Sequence, residues 1–147
     1  MVKPVIRSML ESDISAVLEI EQVSFATPWP GRSFSEEICK VYGFSRVAVL
    51  DGKVIGYACA DYEQHESRIL KVAVCQDFRR RGVGTMLMND MISELKKKGC
   101  IFMYLKVRAS NAGAQKFYQS FGFRVENIRK KYYDDPSEEA LLMMGRV

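Results

Sequence analysis

Apolar residues recur with two different periods along the chain, and the points where the period changes divide it into short elements. Val5 to Met9 predicts a brief edge strand. Ser12-Asp13 then opens a helix in which Ile14, Val17 and Leu18 recur at helical spacing as far as Gln22. The stretch Phe25-Ala26-Thr27-Pro28-Trp29-Pro30-Gly31 is rich in helix breakers and holds the only tryptophan, and a short helix is expected from Ser33 to Lys40. Phe44 to Leu50 and Val54 to Tyr62 flank Asp51-Gly52-Lys53, a pairing that predicts a β-hairpin. Arg68 to Val74 extends this meander by a third strand, and the helical spacing of Met86, Leu87, Met91, Ile92 and Leu95 follows, from Met86 to Lys98.

In the second half, Ile101 to Val107 is apolar on both alternating faces, as in a strand inside a covered sheet, with Lys106 as the exception. Ser110-Asn111 supplies capping residues for a helix over Ala112 to Phe121, and Gly122 marks its end. Phe123 to Ile128 and Ala140 to Met144 read as closing strands. The order β-α-α-β-β-β-α-β-α-β-β predicts an α/β (α+β) fold, a mixed sheet with helices on its faces. No internal repeat or low-complexity segment interrupts it.

Composition narrows the class. A chain of 147 residues suits one domain, residues 1–147, with a core that needs neither disulfides nor structural metal. Hydrophobic residues make up 48% and charged residues 27%, as in ordinary globular proteins. Met1-Val2-Lys3-Pro4 starts no long apolar run, and no stretch is long enough to span a membrane, so a cytoplasmic protein with neither signal peptide nor membrane contact is expected. Cys39, Cys59, Cys75 and Cys100 lie far apart without a C-x-x-C pair and read as buried free thiols. The one histidine, His65, sits in a polar loop, which argues against a histidine metal site or a Ser-His-Asp triad. No metal is expected.

The net charge of +4 is too small for extensive nonspecific nucleic-acid binding, but the cations cluster: Arg79 to Arg81, Lys96 to Lys98 and Arg129-Lys130-Lys131. Lys96 to Lys98 end a predicted helix and suit its dipole without any ligand. Arg79-Arg80-Arg81-Gly82-Val83-Gly84-Thr85 stands between a strand and a helix. Glycines there let the backbone approach a ligand closely, and the free N–H groups of a helix's first turn favour an anion. The segment reads as a pyrophosphate cradle, with a plain turn as the structural alternative. Farther on, Asn111, Ala114 and Tyr118 stand at i, i+3 and i+7 on one helix face, along which a single ligand can run. Tyr118 is either a proton donor there or, like Phe117 and Phe121, aromatic packing.

The order of elements together with Arg79-x-x-Gly82-x-Gly84 resembles the GNAT superfamily of N-acetyltransferases. Ile20-Glu21-Gln22 with Pro28-Trp29, Val107-Arg108-Ala109-Ser110-Asn111, Phe117-Tyr118-Gln119-Ser120-Phe121-Gly122-Phe123 and Arg129-Lys130-Lys131-Tyr132-Tyr133 are similar to the RimI group within it. That group acetylates the N-terminal alanine of a small-subunit ribosomal protein. The resemblance covers nearly the whole chain. It implies acetyl-CoA as cosubstrate, with the backbone of Val72, Ala73 and Val74 pairing with the pantetheine arm. Arg80, Arg81, Gly82, Val83, Gly84 and Thr85 would wrap the pyrophosphate, and Asn111 would touch the coenzyme. Tyr118 matches the family's general acid, which protonates the departing thiolate; an ordinary phenol is protonated at neutral pH and suits that role. Trp29, Tyr132 and Tyr133 match the places that hold the first residues of a protein N-terminus, or else seal the end of the sheet. Asp134-Asp135 and Glu138-Glu139 could draw a basic peptide downstream, or are simply solvated.

One position departs from the pattern. Where the RimI group carries a glutamate, taken as the base for the incoming amine, this chain has Lys106. A protonated lysine cannot accept a proton, and its charge opposes an ammonium. Three explanations are open: burial and cationic neighbours make Lys106 a neutral base, another carboxylate such as Glu21 acts through water, or no strong base is needed. An α-amine with pKa about 7.7 to 8.0 is already roughly one-tenth neutral at pH 7, against less than about one in a thousand for a lysine side chain, which favours an N-terminal acceptor if the base is absent. The plainer alternative leaves Lys106 at a strand end with its ammonium in water. Rival readings are a GNAT enzyme for small-molecule amines or another protein, and a noncatalytic acyl-CoA sensor or partner subunit. A P-loop nucleotide binder is disfavoured, because no lysine precedes Gly84-Thr85 in the G-x-x-x-x-G-K-[ST] manner.

Overall fold

The structure is a computed structural model that describes residues 3–134 and 137–147. Met1, Val2, Asp135 and Pro136 lie outside the described residues, and with Asp135 goes part of the acidic pair expected to face a peptide. The strands are β1 (Val5–Ser8), β2 (Gly43–Leu50), β3 (Lys53–Glu63), β4 (Glu66–Val74), β5 (Phe102–Arg108), β6 (Arg124–Asp134) and β7 (Ser137–Arg146). The helices are α1 (Ile14–Ser24), α2 (Gly31–Cys39), α3 (Val83–Lys97) and α4 (Ala112–Gln119). Their order is the one expected. Short 3-10 turns at Glu11–Asp13 and Gln76–Phe78 add to it.

All seven strands join one sheet in the order β1-β2-β3-β4-β5-β7-β6. Every pairing is antiparallel except β4 with β5. Apolar side chains on the two sheet faces bury two separate cores. On one face, Leu87, Met88, Met91 and Leu95 of α3 pack with Ala58, Met103 and Met143. On the other, Val17 and Ile20 of α1 and Phe34 of α2 pack with Val47, Tyr57 and Cys59. Each large side chain so buried is worth about 1.5 to 3 kcal/mol.

Among the irregularities of the sheet, two involve β4. The parallel pairing of β4 with β5 covers only Glu66↔Phe102, Ser67↔Met103 and Arg68↔Tyr104, although β4 runs on to Val74 and β5 to Arg108. Beyond Arg68 and Tyr104 the two strands part, and each keeps its partner only on the far side, Gly56↔Val74 and Arg108↔Ala140. The sheet therefore opens between them. The second irregularity is a register shift in β4, where Ala60 faces Ile69 but Cys59 faces Lys71, so that Leu70 is extra. In a regular strand residues i and i+2 share a face. Here Ile69 joins the α3 core while Lys71 reaches α1, because the extra residue re-aims the chain.

Some boundaries differ from expectation. Helix α3 begins at Val83 rather than Met86, so Gly84 and Thr85 lie in its first turn instead of a loop. Strand β6 continues to Asp134 rather than stopping at Ile128, and β7 spans Ser137–Arg146 rather than Ala140 to Met144. The charged run Arg129 to Lys131 hid this. Strand β6 is the sheet's edge and almost wholly exposed, so charge on both faces costs it little, and a register shift between Arg129 and Tyr133 with Lys131 at φ 52 takes up the extra residues. Of the thiols read as buried, Cys59 and Cys100 are, whereas Cys75 is half-buried and Cys39 exposed at the end of α2. Burial pushes the Cys59 thiol up to about 12, which makes it inert.

Candidate active site

The opening between β4 and β5 forms a cleft of about 680 Å³ that reaches both faces of the sheet. Its walls include Ile69 to Val72 of β4, Tyr104 to Arg108 of β5, and Asn111, Ala114 and Tyr118 at α4. Phe25, Trp29, Tyr132 and Tyr133 line it from the α1 side and from the edge strand. Among the sequence-predicted residues, the cleft thus gathers Val72, Lys106, Asn111, Tyr118, Trp29, Tyr132 and Tyr133. Ala73, Val74 and the segment Arg80 to Thr85 are not part of its wall.

That segment adjoins the cleft instead. Gly82 is the N-cap of α3 with φ 80, a left-handed conformation that side chains resist, and no side chain caps the helix. The first-turn N–H groups are therefore left for an anion, beside the exposed Arg80 and Arg81. Gly84 has a different reason. A Cβ there would stand 3.3 Å from the ring of Phe117, so its lack of a side chain seats α4 against α3. Arg79 is committed to structure: its Nε donates to the Val74 carbonyl at 3.1 Å and ties the turn to the end of β4.

Helix α4 presents Asn111, Ala114 and Tyr118 along one face to the cleft, as their spacing predicts. Asn111 Oδ1 accepts the Ala114 N–H at 3.0 Å, so the side chain expected to touch a coenzyme also caps the helix. Tyr118 packs with Phe117 and Phe123 at ring separations of 5.3 and 5.9 Å. Burial pushes its phenol up, which keeps it protonated well past neutral pH. Among the described residues its hydroxyl has no hydrogen-bond partner while lining the cleft. It can act as a donor to whatever enters.

On the α1 side, the fully buried Glu21 organises the wall. Its Oε1 accepts the hydroxyl proton of Tyr57, and its Oε2 accepts the Trp29 N–H and the Lys71 ammonium, both at 2.8 Å. Lys71 lies 3.7 Å from the centre of the Phe25 ring and 5.1 Å from that of Trp29. With three donors on its oxygens and no place in the cleft wall, Glu21 is a poor candidate for a base acting through water. It fixes the Phe25 to Trp29 loop. Lys71 escaped the sequence reading, though its signal was the one that exposed Lys106: a lone cation within an apolar strand run.

Lys106 is exposed, so the burial that would make it a neutral base is absent. Its Nζ donates to the Tyr132 hydroxyl at 3.3 Å and sits 4.8 Å from the ring centre. Next along β5, Arg108 stacks 4.3 Å from the centre of Tyr133 and pairs with Glu138 at 3.2 Å. Burial, more than any charge nearby, pushes the Tyr133 phenol up. Glu138 also accepts the Ser110 N–H at 2.6 Å, so it is bound into the protein rather than held out to a basic peptide. His65 is exposed in the β3–β4 turn, as expected of a loop residue. Among the described residues no group of three or more His, Cys, Asp or Glu could hold a metal ion, and no helix is long and apolar enough to cross a membrane.

Comparison with known proteins places this geometry. Residues 14–123 match the model of the acetyltransferase (GNAT) family. The chain is 34% identical over 140 residues to the [ribosomal protein bS18]-alanine N-acetyltransferase of Escherichia coli K12, covering 94% of each chain. The crystal structure of the ribosomal-protein-S18-alanine N-acetyltransferase from Escherichia coli superposes with a TM-score of 0.90 at 32% identity, covering 98% of this chain and 94% of that one. Ard1 from Thermoplasma volcanium superposes at 0.92 with 30% identity, covering 99% of both.

Proposed function

The chain belongs to the acetyltransferase (GNAT) family, and from that membership we propose that it transfers the acetyl group of acetyl-CoA to the N-terminal α-amine of a protein. The alanine N-terminus of a ribosomal protein is the first candidate, by similarity to the Escherichia coli bS18-alanine enzyme. The observation that carries this reading is the cleft where β4 and β5 part, with the Tyr118 hydroxyl on its wall.

The pantetheine arm pairs with the free edge of β4 at Val72 to Val74, as an added strand would. The uncapped turn Gly82 to Thr85, flanked by Arg80 and Arg81, receives the pyrophosphate. Asn111 borders the arm from α4. The acceptor enters from the opposite face, between Trp29 and the Tyr132-Tyr133 pair, and its nitrogen attacks the thioester carbon directly. The C–S bond breaks, the electron pair leaves on sulfur, and Tyr118 supplies the proton to that thiolate; the proton that the nitrogen sheds as the amide forms passes to solvent water, from which the Tyr118 phenol is restored. No acyl-enzyme forms. Backbone N–H groups near Val74 polarise the carbonyl.

Of the three explanations for Lys106, the third fits this geometry, since Lys106 is exposed and Glu21 is occupied. An α-amine that is roughly one-tenth neutral at pH 7 needs no strong base. The test is acetyl transfer from acetyl-CoA to an alanine-initiated peptide, followed by mass spectrometry, beside a panel of small amines and lysine-containing peptides blocked at the N-terminus. Acetylation confined to the free α-amine is expected. Turnover of only the small amines or lysine side chains would refute the N-terminal reading, and coenzyme binding without any turnover would point to a sensor.

A further inference from the structure

Among the described residues, four of the five charged side chains on the cleft wall are cations: Arg68, Lys71, Lys106 and Arg108 stand against Asp134. Three of the four already hold a carboxylate of the protein. Arg68 makes two hydrogen bonds to Asp61 at 2.9 and 2.6 Å, Lys71 pairs with Glu21 at 2.8 Å, and Arg108 with Glu138 at 3.2 Å. Lys106 is the exception. Its contacts among the described residues are the hydroxyl and ring of Tyr132, neither of which neutralises an ammonium, and Asp134 forms no ion pair with it. Tyr132 instead holds the charge at the acceptor end of the cleft.

A fixed cation at that place discriminates among acceptors. It repels the ammonium form of an amine and any basic side chain beside it, while a carboxylate close to the amine both relieves that repulsion and completes the pairing that the other three cations have. Resting on the reading above, we propose that the acceptor is a protein N-terminus carrying an aspartate or glutamate within its first three residues, whose carboxylate pairs with Lys106. The same residue that removes a base thereby selects a substrate.

The experiment compares kcat/KM for three peptides identical except at the second residue, Ala-Glu, Ala-Gly and Ala-Lys, with the intact protein and the variants Lys106→Met and Lys106→Glu. For the unaltered protein, Ala-Glu is expected to exceed Ala-Lys by about tenfold at low salt, the scale of a partly exposed charge pair gained against one repelled. The preference shrinks as salt rises toward about 0.5 M. Lys106→Met flattens the series, and Lys106→Glu reverses it, which a loss of folding cannot do. Equal rates for the three peptides, or a preference unchanged in the variants, would overturn the acidic-acceptor proposal while leaving N-terminal acetylation intact. No turnover of any peptide would overturn both.

Discussion

The two sides of the cleft are made of different material. Toward α3 and α4, the groups proposed to hold acetyl-CoA are mostly backbone: the β4 edge left when β5 turns away, and the first turn of α3 behind Gly82. Toward α1 and β6, the wall is side chains, with Phe25, Trp29 and Lys71 gathered on Glu21, and Lys106 and Arg108 stacked on Tyr132 and Tyr133. A site of backbone groups is fixed by sheet register and survives most substitutions. One made of side chains is respecified by a single change. The donor half can thus tolerate substitutions of a kind that would respecify the acceptor half, and Lys106 lies on the acceptor half.

With Tyr118 as the proposed general acid between the halves, its removal has the largest expected effect. Tyr118→Phe should lower kcat by about a hundredfold or more, the usual scale for a lost general acid, with acetyl-CoA affinity by calorimetry unchanged. Undiminished turnover would mean that the two halves react without it. Next, Glu21→Ala should cost about 3 kcal/mol in urea unfolding, because Lys71, at 9% side-chain exposure, is left nearly buried without its partner. Its activity loss should show as raised peptide KM, not as weakened coenzyme binding. A drop confined to acetyl-CoA affinity would erase the distinction between the halves.

The geometry of the proposed donor half was legible in the sequence because its signals are local. A strand, an Arg-x-x-Gly-x-Gly segment and a helix follow one another in the chain, and Asn111, Ala114 and Tyr118 share a face by helical spacing alone. Even so, Gly84 answers to Phe117, a contact between α3 and α4 that no local pattern reveals. The acceptor half is assembled from α1, β4, β5 and β6, and its logic depends on register. The extra residue Leu70, which turns Lys71 toward Glu21, cannot be read from alternation, and the exposed edge strand β6 carries charge where a covered strand would carry apolar residues. Lys106 was visible as an anomaly; what it touches was not.

Two smaller effects refine the contrast. Gly82→Ala forces a side chain into φ 80, costing about 1 kcal/mol by thermal or urea unfolding, and should weaken acetyl-CoA binding without altering acceptor preference. Since a Cβ there meets nothing within 4 Å, any larger loss would indicate that the coenzyme packs against that position. The pH profile should change least. Burial raises the Tyr118 phenol, so its proton-bearing, active form persists to higher pH, and kcat/KM should climb through the amine's pKa of about 8 and hold past about pH 10. A fall between about pH 8 and 9 would assign the acid to another group.

Hydrogen exchange with mass spectrometry tests the division of the cleft most directly. Acetyl-CoA alone should protect the amides of residues 72–74 and 82–85 and leave 25–30 and 132–133 unchanged, and adding an alanine-initiated peptide should then protect the latter pair. Protection of 25–30 and 132–133 by acetyl-CoA alone, with 72–74 and 82–85 unaffected, would contradict the account.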